Sequence, residues 1–204
     1  MLKLSVKRWS SLEAGCDEAG RGCLAGPVFC AAVILPDRFK NTLLNDSKKL
    51  SSKDRYLLRD IIQKEAIGYA VYEVPVEVID KINILQASII GMQKALDKLD
   101  KPFKHIDVDG NKFKPYNKIP HTCVIGGDAL YMNIAAASIL AKTYRDDLML
   151  KMHNDFPQYG WNSNKGYATL LHRKALREHG PCEHHRTSFR LFYEEDQMKL
   201  NFEE

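Results

Sequence analysis

Asp17 and Glu18 stand side by side at the end of an apolar run, with Gly20-Arg21-Gly22 close behind them and Gly26 closing the loop. Two adjacent carboxylates are costly to hold unless a cation sits on them. The glycines let the backbone approach another molecule closely, and a lone arginine between two of them suits an anionic partner. Asp109 and Asp128 lie further on, each at or just past an apolar stretch that reads as a strand. Acids at strand ends of an α/β sheet converge on one crevice. Oxygen ligands without His or Cys select Mg²⁺ or Mn²⁺ over Zn²⁺. A pair of such ions roughly 4 Å apart can activate a water and steady the leaving oxygen of a phosphodiester.

Each acid also has a plainer reading. Asp109-Gly110-Asn111 reads as a turn, Asp128 as an N-cap, and Asp17 with Glu18 as a surface pair. Only the recurrence of acids at successive strand ends favours a metal site. The chain has no GxxxxGK[ST] loop, which counts against nucleotide hydrolysis of that type. Ser47-Lys48-Lys49 reads as a solvated charge run or a strand-holding patch. Tyr167, after Lys165-Gly166, reads as a core aromatic or as a ring that stacks on a sugar or reads a 2′-hydroxyl. Cys182, His184 and His185 match no zinc spacing.

The elements that must position these residues follow from the hydrophobic pattern. Residues 14–19 and 27–35 read as antiparallel strands, the second almost wholly apolar, as for a strand covered on both faces. Ser51 with Asp54 forms a capping box for a helix over about 52–66. A strand is predicted at 67–74, and two helical pieces over 76–99 meet near Asn83. Strands at 103–108 and 122–125 follow. A helix over about 131–153 carries Ala135, Ala136, Ala137 and Ala141, small enough to lie close on a sheet. A last helix is predicted over about 165–179, stopped by Gly180-Pro181. The order predicts an α/β fold with a mixed sheet and helices on both faces.

The 204 residues suffice for one domain with a real core. Hydrophobic residues make up 45% and charged residues 27%, with formal net charge +4, which permits a nucleic-acid partner without demanding one. Five cysteines in no CxxC pair predict reduced thiols and a cytoplasmic setting. The N-terminal residues lack the apolar core of a signal peptide, and no stretch is apolar enough to predict a membrane span.

Asp17-Glu18-Ala19-Gly20-Arg21-Gly22 followed by Leu24-Ala25-Gly26-Pro27-Val28 resembles the signature of ribonuclease HII. So do Asn45-Asp46-Ser47-Lys48-Lys49-Leu50, Asp80-Lys81-Ile82-Asn83-Ile84-Leu85, Asp109-Gly110-Asn111, Ala136-Ala137-Ser138-Ile139-Leu140-Ala141-Lys142, Phe156-Pro157-Gln158-Tyr159-Gly160, Lys165-Gly166-Tyr167 and Glu183-His184-His185-Arg186-Thr187-Ser188-Phe189. These blocks run in order from about residue 14 to 190. The resemblance implies an RNase H-like fold with a five-stranded mixed sheet and a C-terminal helical extension over about 155–190. It implies cleavage of RNA in RNA–DNA hybrids and incision 5′ to a ribonucleotide embedded in duplex DNA, leaving 3′-hydroxyl and 5′-phosphate ends. That activity serves ribonucleotide removal in DNA replication and repair. Asp17, Glu18, Asp109 and Asp128 would hold two Mg²⁺ or Mn²⁺ ions. Gly20, Arg21 and Gly22 would sense the 2′-hydroxyl and its phosphates, and Tyr167 would stack at the RNA–DNA junction. Lys48, Lys49, Asn83 and Ser138 would contact the backbone. The enzyme would act as a monomer, and the tail from about 191 to 204 reads as a frayed helix or a docking segment for a replication protein such as a sliding clamp.

Two positions depart from the family pattern. Cys23 and Gly127 stand where the family often has proline and lysine. Regular strand geometry also turns Asp17 and Glu18 to opposite faces. Either the strand ends or bulges there, or the pair is unequal, with Asp17 bridging both metals and Glu18 peripheral. Two other readings compete. One is ribonuclease HIII, which carries an N-terminal substrate-binding domain; the catalytic strand here begins within about fifteen residues of Met1, short of the ~50 that most domains need. The other is a catalytically silent nucleic-acid-binding protein, which four clustered acids argue against.

Overall fold

A computed structural model describes residues 2–6 and 12–192. The proposed docking tail therefore lies almost wholly outside the described residues. Five strands form one mixed sheet in the order β3-β2-β1-β4-β5. Strands β1 (Glu13–Ala19), β2 (Val28–Ile34) and β3 (Gly68–Val74) run antiparallel, while β4 (His105–Asp109) and β5 (His121–Val124) join β1 in parallel.

Helices cover both faces, as the apolar β2 sequence demands. One face packs α1 (Ser52–Glu65) and α4 (Met132–Asp155) against Ala19, Ala31 and Val33. The other packs α2 (Val76–Ile82) and α3 (Ile84–Asp97) against Cys16, Cys30 and Ile34. Ala135, Ala136, Ala137 and Ala141 are fully buried. They let α4 lie so close on β1 that a Cβ at Gly15 would meet the Asn133 carbonyl carbon at 2.2 Å. That approach sets Asp17 beside the helix.

A third apolar cluster belongs to the C-terminal part, where α5 (Trp161–Asn164) and α6 (Leu170–His179) gather Trp161, Tyr159 and Leu176 against Leu24 and Ala25. The last helix is shorter than its sequence predicts. Lys165 and Gly166 adopt left-handed backbone angles (φ 51° and 83°), and Thr169 caps α6 by accepting from the His172 amide. Residues 165–169 are instead the turn that presents Tyr167. Asn83, with φ 67°, separates α2 from α3 as expected.

Candidate active site

The register of β1 against β2 is regular through Asp17↔Ala31 and Glu18↔Cys30, so the strand neither ends nor bulges at the acid pair. Asp17 therefore shares a face with Ala19 and looks toward α4, while Glu18 looks the other way. The parallel pairing of β1 with β4 stops at Cys16↔Val108. One residue further along both strands come Asp17 and Asp109, at the mouth where the strands part. Asp128 enters from a 3₁₀ turn over Gly127–Ala129. It does not cap α4, whose N-cap is Tyr131. Asp17, Glu18 and Asp109 line a cavity of about 190 Å³ together with Gly20, Arg21, Gly22, Ser47, Lys48, Ser138, Lys142 and Tyr167.

The acids feel one another. Burial first, then the charges of Glu18 and Asp109, push the Asp17 carboxyl well above the usual carboxylate range. Burial, then Asp109 and Asp46, raise Asp128, against a partial opposing effect of Lys48. Lys48 Nζ stands 4.0 Å from Asp128 Oδ2. Glu18 is also raised by burial, although Arg21 pulls it down through an ion pair of 3.2 Å. Two of the acids are braced by backbone amides: Asp17 Oδ1 accepts from the Glu18 amide at 2.7 Å, and Asp109 Oδ1 from the Gly127 amide at 2.7 Å. The bond to Asp109 comes from the Gly127 backbone, and Gly127 brings no side-chain charge to the site.

The loop after the acids is held from beneath by two buried arginines that the motif reading did not single out. Arg186 donates to the carbonyls of Gly20 (2.7 Å), Arg21 (2.9 Å) and Gly26 (2.9 and 2.8 Å). Arg145 donates to Pro27 (3.0 Å), Ala25 (3.0 Å) and Lys165 (2.8 Å). With φ at +92°, Gly20 has no space for a Cβ, which would meet Arg145 Nε at 1.9 Å. The Cys23 amide donates to the Gly20 carbonyl at 3.3 Å, a bond that proline could not make, and its thiol donates to the Lys165 carbonyl at 3.6 Å. The Leu24 amide closes on the Gly166 carbonyl at 2.8 Å. The glycine loop and the Tyr167 turn are therefore bonded into one wall of the cavity.

Ser138 is 5% exposed, pairs with Ser47 at 3.0 Å and lies close enough to Asp17 to partly offset the rise of its carboxyl. It ties the Lys48 loop to α4 while lining the cavity. Lys48 reaches the cavity; Lys49 is exposed and is not among the cavity's lining residues. Asn83 is not there either: its side chain accepts from the Gln86 amide at 3.1 Å and caps α3. Lys142, quoted only as part of a motif, lines the cavity beside Tyr167 and pairs with Asp146 at 2.5 Å. Cys182 and His185 belong to the buried ring cluster around Trp161 and Tyr159.

Among the described residues no three His, Cys, Asp or Glu groups close into a preformed metal cage. The donor set nevertheless fits a hard divalent cation. It is all carboxylate, and its mutual repulsion is what such a cation relieves. Among the described helices, none is long and apolar enough to cross a membrane.

The model of the family described as ribonuclease HII matches residues 14–194. Ribonuclease HII of Bacteroides thetaiotaomicron is 58% identical over 191 residues, which cover 94% of this chain and 95% of that protein. The solved ribonuclease H2 of Pyrococcus horikoshii superposes with a TM-score of 0.76 at 22% identity, covering 93% of this chain and 98% of that one. Bst-RNase HIII, solved in complex with Mn²⁺, gives 0.73 at 16% identity, covering 97% of this chain and 72% of its own. These last two are likenesses of fold.

Proposed function

We propose, from the premise that this chain belongs to the ribonuclease HII family, that its acid cavity cuts on the 5′ side of ribonucleotides, both in RNA–DNA hybrids and singly embedded in duplex DNA. The chain is a ribonuclease H, an endonuclease acting on RNA–DNA hybrids. The observation that carries the site assignment is that Asp17 and Asp109 repel each other across a cavity walled by the glycine loop and Tyr167.

Asp17, Glu18, Asp109 and Asp128 would hold two Mg²⁺ or Mn²⁺ ions. When bound, these supply a hydroxide nucleophile and Lewis-acid stabilisation of the leaving 3′-oxygen. Asp17, braced by the Glu18 amide and set between Glu18 and Asp109, would be the central holder of the ions. Glu18 serves from the opposite face and shares its charge with Arg21. The carbonyls of Gly20 and Arg21 are taken inward by Arg186, which supports a loop whose amides face the 2′-hydroxyl and the adjoining phosphate. Tyr167, 43% exposed, stacks on the sugar at the junction. Lys48 and Lys142 meet the phosphate backbone.

The products carry 3′-hydroxyl and 5′-phosphate ends, and the activity serves ribonucleotide removal. The setting is cytoplasmic, supported by free cysteines at all five positions. In this reading the enzyme acts as a monomer. The test is incision of a DNA duplex bearing one ribonucleotide. The expected result is a single cut 5′ to it with Mg²⁺ or Mn²⁺ and none in a chelator. No cut with either metal would overturn the reading.

A further inference from the structure

Beneath the Tyr167 turn lie Trp161, His172 and His185, all at 1% exposure or less. Their hydrogen bonds fix where each proton sits. Trp161 Nε1–H can only donate, and it bonds His172 Nε2 at 3.1 Å. That nitrogen is therefore an acceptor, and the His172 proton sits on Nδ1, which donates to the Tyr167 carbonyl at 2.9 Å. The Cys182 amide donates to His185 Nδ1 at 3.0 Å. The His185 proton is thus on Nε2, which points at His172 Nε2 at 3.1 Å and shares that nitrogen's single lone pair with the Trp161 N–H. A one-way chain of donors runs from the Cys182 amide through two rings to the Tyr167 carbonyl. Every ring nitrogen has a protein partner, so a metal would have to displace one of these bonds. Burial lowers both imidazoles below the usual histidine range and keeps them neutral.

The next residue faces the other way. Arg186 holds the carbonyls of Gly20, Arg21 and Gly26. The same short segment is stitched to the loop through its backbone, Arg186 amide to Leu24 carbonyl (2.8 Å) and Gly26 amide to His184 carbonyl (2.9 Å). Adjacent side chains therefore grip the two halves of that cavity wall, His185 holding the Tyr167 turn through His172 and Arg186 holding the glycine loop directly.

We propose that His172 and His185 are positioning residues that, with Arg186, lock Tyr167 at a fixed reach from the Gly20–Gly22 loop and so set how strictly the enzyme recognises a ribonucleotide junction. The inference rests on the reading that Tyr167 and the loop touch the substrate. Neither ring does so itself. Each acts through a backbone carbonyl, and small misplacement of a positioning group costs a large factor in rate.

Side-chain amides can imitate one imidazole nitrogen at a time. Asn places its N–H₂ near the Nδ1 position and Gln near the Nε2 position. His172→Asn keeps a donor for the Tyr167 carbonyl; His172→Gln loses it. The readout is the kcat/KM for a duplex with one embedded ribonucleotide, divided by that for an all-RNA strand paired with DNA. His172→Gln lowers this ratio roughly tenfold, while His172→Asn holds it within about twofold of wild type, although both lower the melting temperature. At His185 the order reverses: Gln, which keeps the Nε2-side donor, preserves the ratio, and Asn lowers it. Equal ratios for Asn and Gln at both positions would overturn the proposal, leaving the rings a purely structural role. Should a His172 variant fail to fold, the His185 pair decides. Tyr167→Ala is the reference. If it leaves the ratio unchanged, the substrate reading of Tyr167 fails; if it lowers the ratio while His172→Gln does not, only the positioning inference fails.

Discussion

In the acid site, Asp17 in the cavity and Asp128 beside Asp109 just outside its lining are each 5% exposed, and burial together with neighbouring negative charge pushes their carboxyls up. On the floor beneath Tyr167, His172 and His185 are more deeply buried still, yet both are neutral and bonded at both ring nitrogens. The two regions meet at the same glycine loop. One stores electrostatic conflict where a cation is to arrive; the other has resolved its conflict internally and can only hold geometry. Removing a group from the first relieves strain and abolishes chemistry, whereas removing one from the second costs stability and blurs recognition.

The largest effect that tests this contrast is on turnover. Asp109→Asn lowers kcat by roughly a thousandfold, the equivalent of several kcal/mol of lost charge stabilisation. Hybrid affinity, measured by fluorescence anisotropy, stays within a few-fold. Loss of binding and fold together would assign Asp109 a structural role and erase the contrast.

A smaller effect concerns pH. The His185 ring titrates at about 4 in the fold, against 6.5 unperturbed. Between these values the unfolded chain takes up a proton that the folded ring refuses, so this contribution is lost as pH falls through the window. Each pH unit below 6.5 removes up to about 1.4 kcal/mol. Asp107 has the opposite sign, since its carboxyl is raised to about 6 and its contribution fades as pH rises. It is common to wild type and His185→Gln, so it cancels in their difference. Denaturant unfolding at pH 7.5 and pH 5 therefore gives a stability gap between the two proteins that narrows on acidification. A gap independent of pH would mean that the ring is not kept neutral by burial.

The smallest effect belongs to Lys48, which is 82% exposed along its side chain. Lys48→Ala weakens binding evenly across sequences and lowers the slope of log affinity against log salt by about 1. A loss confined to one junction sequence would move Lys48 from backbone contact to recognition.

Much of the first region and little of the second was legible in the sequence. Acids at strand ends, the all-apolar β2 and the alanine face of α4 are local signals, and each led to the right element. The alternation of β1 also posed the Asp17–Glu18 problem correctly, and the regular register answers it by excluding a bulge. The ring floor, by contrast, depends on contacts between residues such as Trp161, His172 and His185 that no periodicity links. Arg145 and Arg186 satisfy carbonyls about 120 and 160 residues away in sequence, and nothing local marks a guanidinium for that use. The turn at 165–169 looked helical because the left-handed Lys165 carries no signal of its own. Thr169, a good N-cap, was the available clue. Asn83, read as a substrate contact, shows the converse: its residue type suits a helix cap equally well.

The measurement that bears most directly on stored conflict in the cavity is thermal unfolding of wild type and Asp17→Asn with and without Mn²⁺. Without metal, Asp17→Asn should melt a few degrees above wild type, because a repelled buried carboxylate is gone. With Mn²⁺ at a hundredfold excess over its dissociation constant, wild type should gain about 2.7 kcal/mol and the variant little. An equal gain in both proteins, or a metal-free variant less stable than wild type, would contradict the account.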